Sequence, residues 1–103
     1  MSYVVLVTTK KRAEAERIAK QLVEEKLAAC VNVLPKISST YGWKGKVEHA
    51  SEALLLVKTS REKLDRLIAR VKELHSYEIP EILALQIERG SREYLKWLEE
   101  SLR

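Results

Sequence analysis

The chain has 103 residues, which suits one domain over 1–103 and one hydrophobic core. Hydrophobic residues make up 46% and charged residues 33%, a balance that excludes a disordered segment, and the longest apolar run, Ala53-Leu54-Leu55-Leu56-Val57, is far too short to span a bilayer. The net charge of +4 is interleaved, as in Glu24-Glu25-Lys26 and Arg61-Glu62-Lys63, which is the pattern of a solvated helix face and not of a nucleic-acid stripe.

In chain order, Val4-Val5-Leu6-Val7 is β-branched and reads as a buried first strand. Thr8 and Thr9 offer caps for a helix with Ala15, Ile18, Ala19, Leu22 and Val23 on one face, ending near Ala28 or Ala29. Cys30 to Leu34 returns to strand character, and Pro35 predicts a bend or an edge. The polar, aromatic stretch 38–47 reads as one long extended strand that bends and protrudes as half of a hairpin, with a third strand over 52–58. Thr59 with Glu62 matches a capping box ahead of a helix with Leu64, Leu67, Ile68, Val71 and Leu74 as its apolar stripe. Ser76 and Pro80 bracket its end, 82–87 forms a fourth strand, and Tyr94, Leu95, Leu98 and Leu102 make a short last helix.

This order, β-α-β-β-α-β and a C-terminal helix, predicts an α+β fold of the ferredoxin-like, split β-α-β kind: a four-stranded antiparallel sheet with two helices on one face. A one-sided antiparallel sheet alternates apolar with polar residues, yet these strands are apolar on both faces. A chain of this length has no second core to cover the other face. Assembly through the sheets is therefore expected.

Several positions in register then carry a family likeness: Ala28-Ala29-Cys30-Val31-Asn32, Pro35, Ser39, Tyr41, Trp43, Gly45, Glu52, Leu56, Lys58-Thr59, His75, Tyr77, Pro80-Glu81-Ile82, and Tyr94-Leu95 with Trp97-Leu98. The sequence resembles the CutA divalent-cation-tolerance family from its first strand to its last helix. The resemblance implies a homotrimer, a cytoplasmic setting, and a link to tolerance of copper and other divalent cations. It departs at Ser76, where the family usually has proline, and at Val7 and Leu74, where some copper-binding members carry a cysteine and a histidine.

Candidate metal ligands are His75, Glu81 and Cys30, the last reaching from a neighbouring subunit, with Cu²⁺ or Zn²⁺ as the divalent cation. No Cys-x-x-Cys or His-x-x-x-His spacing supports them, and the plain alternative is a buried small hydrophobe at Cys30 and a helix-terminal imidazole at His75. Tyr41, Trp43, Lys58 and Tyr77 are candidates for an inter-subunit cleft, which on a second reading belongs to a PII-like signalling module taking a small molecule or nucleotide. An enzyme is not expected: the basic run Lys10-Lys11-Arg12 lacks the glycine-rich loop of a phosphate cradle, and no nucleophile–base pattern stands out. No cofactor is required, and neither nucleic acid nor membrane is an expected partner. A single cysteine and an N-terminus that enters the first strand directly favour the cytoplasm.

Overall fold

The computed structural model describes residues 1–103. Its elements are β1 (Ser2–Thr9), α1 (Arg12–Glu24), β2 (Cys30–Trp43), β3 (Lys46–Ser60), α2 (Arg61–Leu74), β4 (Ile82–Gln86) and α3 (Arg92–Ser101). The four strands form one antiparallel sheet in the order β2-β3-β1-β4, the split β-α-β arrangement expected from the sequence.

Alternation along the strands sorts the side chains into two faces. Val5 and Val7 of β1 lie opposite Val57 and Leu55 of β3, and all four are fully buried beneath the helices. Ala15, Ile18 and Leu22 of α1 and Leu67 and Val71 of α2 complete this core. The second face carries Leu34, Leu54, Leu56, Leu6, Leu83 and Leu85, one strand position out of phase. Helix α3 crosses one end of that face, where Glu99 accepts a 2.7 Å bond from the Ser2 hydroxyl and Leu98 is fully buried. Beyond α3 the leucines are open: Leu83 is 55% and Leu85 52% exposed. The apolar second face inferred from the strand composition therefore exists.

Several boundaries differ from expectation, each for a local reason. Helix α1 stops at Glu24, short of Ala28, because Lys26 takes a left-handed conformation (φ 57°) and the N–H groups of Leu27 and Ala28 fold back onto the Leu22 carbonyl. Val23, in the last turn of α1, is exposed and leaves the core stripe. Neither Thr9 nor Thr59 caps a helix: Lys11 and Ser60 occupy the N-cap positions without side-chain caps. The Thr9 hydroxyl donates to the Lys11 carbonyl, and the buried Thr59 hydroxyl donates at 2.6 Å to the Leu27 carbonyl, tying β3 to the loop after α1. The stretch 38–47 is two strand arms, not one strand. Lys44 (φ 52°) and Gly45 (φ 78°) form a two-residue turn, the geometry that matches the twist of paired strands, so β3 starts at Lys46. The bend expected at Pro35 is a register shift between Leu34 and Ile37.

Candidate functional site

The site is built where the segment after α2 meets β1 and the β2–β3 hairpin. His75 follows the last residue of α2, and its ring is buried. Its Nε2 lies 2.7 Å from the Thr8 carbonyl, which can only accept, so Nε2 carries the proton. Its Nδ1 then accepts the Tyr77 backbone N–H at 3.0 Å. Both nitrogens of a neutral imidazole are thus occupied in pinning this segment to β1. Ser76 adds a second tie, its N–H and hydroxyl donating to the two oxygens of Glu14 at 2.8 and 2.9 Å. A proline at 76 would have no N–H to give, so the departure from the family pattern is matched by this bond to α1.

Pinned in this way, Tyr77 stacks at a tilt on His75, centroids 4.9 Å apart, and its hydroxyl donates at 2.7 Å to Glu52 of β3. Burial, and next the bond to the Glu52 carboxylate, push the Tyr77 phenol well above its ordinary pKa. The sign follows: below about pH 10 both the folded and unfolded chains hold this proton, and above it only the unfolded chain releases it. Stability should therefore fall as pH rises past about 10, and the fall should be shallower in Tyr77→Phe. Melting temperatures of both proteins between pH 9 and 12 measure this; parallel curves would contradict it.

Tyr77 opens onto a cavity of about 570 Å³ lined by Tyr41, Trp43, Glu52, Glu78 and Glu81 among others. Four of the predicted residues, Tyr41, Trp43, Tyr77 and Glu81, therefore converge. Lys58 does not. It lies toward the other end of β3, opposite Cys30, and its ammonium donates to Asn32 Oδ1. Cys30 is likewise remote from His75: its partner Lys58 and Thr8's partner Leu54 are four positions apart on β3, roughly 13 Å. Cys30 sits instead beside Tyr94, whose hydroxyl is pushed up in pKa by burial and then by Cys30. His49, the other imidazole, is exposed on the hairpin and paired with Thr40 Oγ1 at 3.1 Å.

The residues of one chain consequently do not fit a copper or zinc centre. No three His, Cys, Asp or Glu side chains gather as a ligand group, and His75 has no lone pair left to give. Glu52 and Glu78, which line the cavity, were not among the predicted site residues. The signal was present: Glu52 opens the apolar run of β3, and Glu78 lies between Tyr77 and Pro80.

The family model described as CutA1 divalent ion tolerance protein matches residues 3–101. The chain belongs to the CutA1 divalent ion tolerance family. It is 52% identical to the divalent-cation tolerance protein CutA of Thermus thermophilus over 98% of both chains, and the solved structure of that protein superposes with a TM-score of 0.95. The structure of the protein titled periplasmic divalent cation tolerance protein CutA from Archaeoglobus fulgidus, 46% identical over 100% of both chains, superposes at 0.96. The chloroplastic CutA of Arabidopsis thaliana is 47% identical, and the chain spans 56% of that longer protein. CutA relatives are thus described from more than one compartment. No helix of this chain is long and apolar enough to cross a membrane.

Proposed function

We propose that this chain serves divalent-cation tolerance as a non-enzymatic homotrimer in the cytoplasm, meeting the metal at a boundary between copies. Membership of the CutA1 family over residues 3–101 carries the reading. The open leucine face of the sheet supports assembly, because apolar area of this kind gains most when a second copy covers it. Glu81, exposed on the loop before β4, supplies a carboxylate free of any ion pair within its own chain. Its oxygens are the donors this end of the chain offers a divalent ion, since both His75 nitrogens are hydrogen-bonded and the chain's own Cys30 lies at the far end of the sheet.

Calorimetric titration with Cu²⁺ and Zn²⁺ tests this. Glu81→Gln should weaken binding roughly tenfold or more, the scale on which even groups behind the ligands act, while Cys30→Ala leaves the titration unchanged. A wild-type protein that takes up neither ion, or a Glu81→Gln variant that binds both as well as wild type, would reject the metal role of Glu81.

A further inference from the structure

The cavity beside Tyr77 has a chemistry that divalent-ion binding leaves unused. Its walls combine the rings of Tyr41, Trp43 and Tyr77 with the carboxylates of Glu52, Glu78 and Glu81, and no lysine or arginine lines it. None of these carboxylates has an ion-pair partner within the chain, and only Glu52 is engaged, by the Tyr77 hydroxyl. The local sign is opposite to that of the whole molecule, whose net charge is +4. We infer that this cavity binds an organic ammonium ion, of the protonated alkylamine or polyamine class.

The argument begins with what each group attracts. An aromatic face presents negative potential and holds an ammonium within about 6 Å of its centroid. A bare metal ion makes no use of such walls, because it needs oxygen, nitrogen or sulfur donors at coordination distance. A nucleotide fits no better, since its phosphates would meet three carboxylates and no cation. An alkylammonium uses both halves of the lining: the methylenes lie on the rings and the charge meets the carboxylates. The volume of about 570 Å³ falls in the usual range for small organic ligands.

The chain itself places a cation of this kind on one of the rings. Lys44, in the hairpin turn, holds its ammonium 6.0 Å from the centroid of Trp43. Within a single chain Tyr41 and Trp43 stand about half exposed, at 45% and 50%, so ring surface beyond that facing Lys44 is not covered by the chain itself. The Tyr77–Glu52 bond, anchored through His75 to β1, holds two of the lining side chains in place before any ligand arrives. Those two side chains then cost binding no further ordering.

Calorimetry of the full chain in its native assembly with spermidine, at near-physiological salt, tests the inference, with tetramethylammonium and Mg²⁺ as companion probes. Spermidine should bind, and Trp43→Ala and Glu81→Gln should each weaken it about tenfold or more. Tetramethylammonium, which offers charge without N–H donors, should bind more weakly and be lost in Trp43→Ala. Absence of heat with millimolar spermidine would overturn the inference. So would undiminished spermidine binding in a Trp43→Ala protein with wild-type circular dichroism, or Mg²⁺ binding where both ammonium probes fail. Cu²⁺ titration of the same Trp43→Ala protein separates this inference from the divalent-ion reading, because an indole is no metal ligand. Loss of amine binding with Cu²⁺ binding intact supports the ammonium site.

Discussion

Leu55→Ala is expected to destabilise the protein by about 2–5 kcal/mol. Leu55 is fully buried at the centre of β3, a strand paired on both sides, and lies directly opposite Val7 of β1 and Val33 of β2. Helices α1 and α2 cover the same face with Ile18, Leu22, Leu67 and Val71, all fully buried. Removing the isobutyl group leaves a void between a hydrogen-bonded sheet and two packed helices, and neither wall can move in without breaking its own contacts. The cost should therefore lie above that of transferring the missing methylenes alone. Chemical denaturation at a fixed chain concentration measures it, since assembly would make stability concentration-dependent. A loss under about 1 kcal/mol would mean that the site collapses, against the rigidity argued here.

The second large effect is on assembly. With Leu83→Glu and Leu85→Glu combined, the native mass is expected to fall from three chains to one. These side chains lie on β4 opposite Leu6 and Val4 of β1, on the sheet face turned away from the helix core. In a single chain they are a little over half exposed, at 55% and 52%, so glutamate there disturbs the chain's own fold little. If a second copy covers this face, each carboxylate must be buried without a partner, at several kcal/mol apiece. Light scattering of wild type and variant at micromolar concentration, with circular dichroism to follow the fold, reads the outcome. A monomeric wild-type protein would sink the trimer, and a variant that keeps the mass of three chains would move the interface off β4.

The contrast between these two leucine sets follows from strand alternation, and it marks what was legible in the sequence. The stripe Leu64, Leu67, Ile68, Val71 and Leu74 located α2, whose bounds are Arg61 and Leu74, because amphipathic packing is decided within a few turns. The leucine runs of β3 and β4 announced a sheet apolar on both faces, since period-two alternation is also local. The arms of the hairpin were not legible in the same way. Residues 46–51 are mostly polar, with Val47 and Ala50 on opposite faces and no alternation to separate them from a loop, and their strand character comes from pairing with β2. The same holds for Thr59, whose fit to a capping box gave way to a buried bond with Leu27.

The candidate site divides along the same line. Tyr77 and Glu81 are close in sequence, so their sharing one cavity needed only a turn after α2, while His75 stays behind that turn, bonded to Thr8 and Tyr77. Tyr41 and Trp43 reach the same cavity because the hairpin brings them there, and Glu52 joins by its bond to Tyr77. Within one chain Lys58 and Cys30 stand at the opposite end of the sheet from this cavity, so either would have to reach it from a second copy.

By itself, then, the sequence determined the element order, the helix stripes, the two-faced apolar sheet and the family, because each is written in spacings of a few residues or in identities along the whole chain. Only the tertiary structure decided which side chains share an end of the sheet. That depends on the Lys44–Gly45 turn and the register shift after Leu34, which set how β2 lies along β3. A shift of four positions along a strand moves a side chain by roughly 13 Å, more than a ligand set can span. Register therefore placed the carboxylates and aromatic rings around one cavity, and sent the cysteine and Lys58 elsewhere.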